Sequence, residues 1–207
     1  VSAATALNSY PVAPIEADHI CREVVQNGFA DVERMYECYG SCNARLTWAD
    51  ATTVMENQNI STLFADYLRL RGTDSYVEWS AFQPVAHRDL LGDMHVLELD
   101  EISGQMRYRL FGTNVAHRYG KDLTGIHVAD NVPSLAALYH GLFLASATAG
   151  QPIYSAHEPA KDSKVKDCQR LMLPFGDSAG RFHRLLVVHM PARTRVGVVG
   201  STLSQPW

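Results

Sequence analysis

MRYRLFGTNVAHRYGKDLTG, residues 106–125, decides how the rest of the chain is read. In its first half Met106, Tyr108 and Leu110 alternate with Arg107 and Arg109, the period of two that marks a strand with one buried and one wet face. Gly112 then loosens the backbone, Thr113 or Asn114 is a natural N-cap, and Val115, Ala116 and Tyr119 share a helical face. Gly120 closes that short helix as a left-handed C-cap. Lys121 to Gly125 forms a second turn, ended by another permissive residue.

Working outward, His95–Asp100 alternates cleanly and is expected as the first strand, with Ile102 to Gln105 as its hairpin turn into the strand at 106. Pro133 sits at a favoured first-turn position and opens a long helix to Gly150, with Leu138, Tyr139, Leu142 and Phe143 on one face. Pro152–His157, Asp167–Phe175 and Arg181–Met190 read as three more strands; a lysine-bearing polar loop separates the first two. Upstream, an apolar spacing through Ile20, Val24, Val25, Val32, Met35 and Tyr36 fits a helix weakened at Gly28, and a second helix runs from about Asp50 to Arg71 and stops at Gly72. Ser80 to Met94 is irregular. Two strands, a long crossover and three strands is an α+β order.

Three separated blocks carry a family resemblance. Tyr108 to Thr113 followed by Arg118 to Gly125, then Gly150-Gln151-Pro152-Ile153-Tyr154, then Arg170 to Phe175 followed by Gly180-Arg181, resemble in the same order the signature of a bacterial branch of PAS domains. The resemblance implies a PAS fold, a five-stranded antiparallel sheet with helices on one face, and a cleft between sheet and long helix in which such domains hold ligands. It divides the chain into a tail and helical extension at 1–60, a PAS-like domain at 61–192 and a C-terminal tail at 193–207.

Bulk properties narrow the function classes. A chain of 207 residues, 46% hydrophobic and 19% charged, can bury a core, and its net charge of −4 offers no basic face for nucleic acid. Its four cysteines, Cys21, Cys38, Cys42 and Cys168, are too scattered for a disulfide framework, so a reducing cytoplasmic setting is expected. No apolar run reaches the ~18 residues of a membrane helix, and the first residues lack the basic segment of a secretory signal.

Catalytic spacing is absent from the motifs. His183 and His189 lie six apart on one strand face, roughly 20 Å, too far to share an ion. Cys38 and Cys42 are separated by Gly40, which breaks the turn that would align their thiolates. Cys168 has Lys166 and Arg170 on its face but no histidine base near it in sequence, and reads as a half-buried strand cysteine. His140, on the long helix, invites comparison with the haem-binding members of the resembled family, yet it sits at the edge of the apolar face. No catalytic, metal or cofactor assignment follows.

The expected reading is therefore a non-enzymatic sensory or regulatory domain that binds a small molecule and signals through a partner protein. The alternative is a homodimeric interaction module with a filled core. Ligand-facing candidates are Tyr108, Leu110, Leu138, Leu142, Tyr154, Leu171 and Leu173; the two phenols stand out because a buried hydroxyl needs a hydrogen-bond partner. Arg109 and Asp122 are expected to brace the strand to the short helices, and the N-terminal apolar stripe is expected to bury itself on its own sheet or, by resemblance, in a homodimer. Neither nucleic acid nor membrane is expected as a partner.

Overall fold

The computed structural model describes residues 17–38, 41–100, 102–130, 133–158 and 168–191. The N-terminal tail, the lysine-bearing loop and the C-terminal tail lie outside the described residues. In chain order come α1 (Ala17–Asn27), α2 (Ala30–Cys38), β1 (Cys42–Trp48), α3 (Gln58–Arg71), β2 (Val77–Glu78), β3 (Met94–Leu99), β4 (Met106–Phe111), α4 (Thr113–Tyr119), α5 (Pro133–Ala149), β5 (Ile153–Glu158), β6 (Cys168–Gly176) and β7 (Phe182–Pro191). The irregular stretch before β3 is 3-10 helix over Pro84–Asp93. The apolar spacing read as one N-terminal helix divides at Gly28 into α1 and α2. The second helix starts later than its apolar residues suggest: Asn57 caps it, its Oδ1 accepting from the backbone N–H of Asn59 at 2.9 Å and of Ile60 at 3.2 Å.

The sheet order is β1-β5-β6-β7-β3-β4, with β2 pairing parallel to β6 off that path. Five of these strands form the expected antiparallel core with the long helix α5 as crossover; β1 and β2 raise the count to seven. β1 runs antiparallel to β5, with Leu46 opposite Ser155, and extends the sheet at that edge.

Side chains on successive strand residues point to opposite faces, and here both faces are covered. Leu97, Met106, Ile153, Met172, Leu185 and Val187 pack with α1, α2, α4 and α5. Val96, Tyr154, Leu171, Leu173, Leu186 and Val188 pack with α3 and the 3-10 segments. Every residue of β6 is buried in consequence. The expectation of helices on one face thus misses α3, whose Ile60, Leu63, Phe64 and Tyr67 are fully or nearly fully buried. At about 1.5–3 kcal/mol for each such side chain, the outer face is a principal anchor of the helix. The Tyr67 hydroxyl donates to the Pro174 carbonyl at 2.7 Å.

The segment from 106 to 125 keeps its strand–helix–turn course with one change that matters for the cleft. β4 carries a bulge: Val96 faces Leu110, but the next residue, Leu97, faces Tyr108, so Arg109 is an extra residue. Parity flips there, and Met106, Tyr108 and Phe111 point inward while Leu110 is 47% exposed. Gly112 is required by close approach and not by backbone freedom, since a Cβ there would stand 2.4 Å from the Gly92 carbonyl oxygen and 2.6 Å from that of Met94. Gly120 does take the left-handed C-cap conformation, at φ 79°. The outer edge of β4 is covered by the following turn, where Gly125 N–H donates to Tyr108 O and Tyr108 N–H to Ile126 O.

Candidate functional site: the cleft beneath the long helix

Three neighbouring strands bring polar side chains onto the face that α5 crosses. In the β6–β7 register Arg170 is directly opposite His189, and β3 sets His95 opposite Val187, two residues along the same face of β7. β4 adds Tyr108 and Phe111, α4 ends on Tyr119, and α5 lowers Tyr139 and Phe143 onto them. These residues line a recess with about 20 Å³ of open space, room for one water molecule.

Arg170 is its centre and is only 5% exposed. Its guanidinium lies over the Tyr139 ring, 4.4 Å from the centroid, and Nη1 donates to the Tyr36 hydroxyl at 3.2 Å. Tyr36 comes from α2, so the N-terminal extension reaches into this site. Among the described residues no carboxylate pairs with Arg170. His95 Nδ1, His189 Nε2 and both ring nitrogens of His157 are shielded from solvent without a hydrogen-bond partner. His157 packs on Tyr36 with ring centroids 4.9 Å apart.

Electrostatics follow from burial beside one fixed charge. Burial, reinforced by Arg170, pushes His95 down to about 3 and His157 down to about 4, and holds His189 well below the usual imidazole value. All three rings are therefore neutral near pH 7. Burial likewise raises the Tyr36 and Tyr108 phenols, which stay protonated. Burial lowers Arg170 while Tyr139 and Tyr36 raise it, and the balance stands above its ordinary value, so it stays charged. The cleft holds one buried cation among neutral rings and hydroxyls.

The family comparison meets this geometry. A PAS domain family model matches residues 55–188, well over half of the 207 residues. The chain belongs to the PAS domain family. Among solved structures it is similar to the PAS domain of Bordetella pertussis BvgS at 15% identity, covering 65% of this chain and 89% of that one with a TM-score of 0.41. It is also similar to an RNA-binding light-oxygen-voltage receptor at 10% identity, covering 73% of this chain and 39% of that one with a TM-score of 0.39. No curated protein matches.

Within the PAS cleft the expected ligand-facing set is largely redistributed. Tyr108 lines the recess. Leu138 and Leu142 are buried in the core on the same side of the sheet. Leu110 faces out because of the β4 bulge. Tyr154, Leu171 and Leu173 belong to the opposite face beneath α3, because strand parity turns them away from α5, and the backbone N–H of Glu56 hydrogen-bonds to the Tyr154 hydroxyl. His95, Tyr139, Arg170 and His189 were missed as site residues. Their signal was the shared strand phase of 168/170 and 187/189, which means nothing until β6 and β7 are known to be in register.

Two other expectations change, and a third is narrowed to one of its alternatives. The brace between strand and short helix is not Arg109 or Asp122, which are exposed, but Arg118: Nη2 lies 2.7 Å from Asp93 Oδ1 and donates to the His189 carbonyl at 2.6 Å, while Asn114 donates to Asp93 Oδ2 at 2.8 Å. His140 is buried, and its Nε2 accepts the Met106 backbone N–H at 3.2 Å, which puts its proton on Nδ1 and occupies the nitrogen an iron would need. The N-terminal apolar stripe is satisfied inside the chain: Ile20 and Val24 are buried in the cluster with α5, and a Cβ on Gly141 would come within 2.5 Å of Ile20 Cβ. Among the described residues no helix is long and apolar enough to cross a membrane.

Proposed function

We propose that this PAS domain is a non-enzymatic sensory or regulatory module that holds a small molecule between sheet and α5 and passes the change to a partner protein. One observation carries the reading: the cleft buries Arg170 and leaves His95 Nδ1 and His189 Nε2 unpartnered. Plain packing does not favour such a cluster, because each unpaired buried polar group costs about 1–3 kcal/mol relative to an apolar side chain. For the domain division we keep an extension at 1–60, a PAS-like unit at 61–192 and a tail at 193–207. Cys21 and Cys38 are free thiols, which supports a cytoplasmic setting.

The second reading is a homodimeric interaction module with a filled core, favoured by the small open volume of about 20 Å³. It must use surfaces other than the buried stripe of α1, such as exposed Val25. Native mass spectrometry of gently purified protein separates the two. The sensor reading expects an added mass that disappears on denaturation; a clean apo dimer, with no thermal shift from a small-molecule panel, favours the filled module.

A further inference from the structure

Resting on the ligand-binding reading above, we infer that the occupant of the cleft is a small anion, a carboxylate in preference, paired with the Arg170 guanidinium. A guanidinium cannot shed its charge by deprotonation in a protein, so burying it costs several kcal/mol unless an opposite charge comes with it. Here it is 5% exposed, and among the described residues no carboxylate pairs with it. Tyr139 offers a ring face and Tyr36 a hydroxyl oxygen, neither of which is a counter-charge.

The surroundings favour an incoming acceptor. The guanidinium has five N–H donors in one plane; Nη1 serves the Tyr36 hydroxyl and Tyr139 takes a further hydrogen bond, which leaves donors to spare for an incoming acceptor. A planar carboxylate matches such a fork better than a spherical or tetrahedral anion. His95 Nδ1 and His189 Nε2 can each carry the ring proton as donors once an acceptor arrives. The open space of about 20 Å³ holds one water as it stands, so a carboxylate enters by displacing that volume and swinging Tyr119, 39% exposed, outward.

The test uses the full chain at pH 7, fixed ionic strength and a carboxylate-free buffer. Acetate, chloride and phosphate are titrated by calorimetry and thermal shift, with acetamide as the uncharged isostere of acetate. The expected result is saturable stabilisation by acetate, no effect of acetamide, and at least a tenfold loss of acetate affinity in Arg170→Met. Saturable binding of chloride or phosphate that Arg170→Met abolishes would keep the anion site and assign it to an inorganic ion. No anion-dependent response, or an equal one in Arg170→Met, overturns the inference. If Arg170→Met does not fold, the Arg170 Nε–Hε resonance of the wild type decides: movement with acetate but not acetamide supports the pairing, and no movement refutes it. An uncharged compound bound in the cleft regardless of Arg170 would sink the anion while sparing the sensor reading. No retained or added ligand of any kind would sink both.

Discussion

Acidification between pH 6.5 and 5 should remove several kcal/mol of stability, far above the range where surface carboxylates titrate. The groups chiefly responsible are His95 on β3, His157 on β5 and His189 on β7, and burial lowers His140 on α5 in the same direction. The first three are surrounded by Arg170 on β6, Arg118 on α4, and the phenols Tyr36 on α2, Tyr108 on β4 and Tyr139 on α5. The folded values lie below the unfolded value of about 6.5, at about 3 for His95, about 4 for His157 and well below it for His189. Below pH 6.5 the unfolded chain therefore takes up protons that the folded chain refuses, so stability is complete above that pH and falls as pH drops. At pH 5 His95 and His157 have each lost about 1.5 units at 1.36 kcal/mol per unit, about 2 kcal/mol apiece, and His189 adds to the loss in the same direction. That is a large fraction of the stability of a typical domain. Asp50, Asp100, Asp122 and Asp177 have lowered values and act only below about pH 4, so the two windows do not overlap. Urea titrations at pH 7.5, 6 and 5 in a non-carboxylate buffer measure the effect, and His157→Phe, which keeps the ring on Tyr36, should reduce the pH slope by about a third. A midpoint that stays constant from pH 7.5 to 5 would refute the burial argument.

Gly112→Ala should cost about 3 kcal/mol or more or prevent folding, because the new methyl meets two backbone carbonyls that cannot rotate aside; thermal denaturation reads it. Gly141→Ala should cost about 1–3 kcal/mol through the Ile20 contact and raise hydrogen exchange selectively in α1, leaving β6 and β7 protected. Tyr67→Phe removes the hydroxyl that reaches the Pro174 carbonyl and should cost about 1–3 kcal/mol in urea titration, with no change in cleft binding. Arg118→Met strands the Asp93 carboxylate and should cost about 3–5 kcal/mol, and adding Asp93→Asn should recover part of the loss.

Much of the PAS frame was legible because its signals are local. The strand at 106, the long helix from Pro133 and the hairpin around Gly180 each carry their own periodicity and turn chemistry. β1 escaped because Cys42-Asn43-Ala44-Arg45-Leu46-Thr47-Trp48 is a polar-rich edge strand that exists through its pairing with β5. The cleft escaped for a related reason. His95, Arg170 and His189 are up to 94 residues apart, and only the order β6-β7-β3 sets them side by side.

The sequence by itself determined the five core strands, the long helix and the family they make, since alternation, caps and glycines act over a few residues. Tertiary structure alone decided which way each side chain points and what it meets. A single extra residue at Arg109 turned Leu110 outward, packing on the second face of the sheet claimed Tyr154, Leu171 and Leu173, and close approaches made Gly112 and Gly141 obligatory. Facing and proximity depend on register and layer order, properties of distant segments in contact, and no short window of sequence contains them.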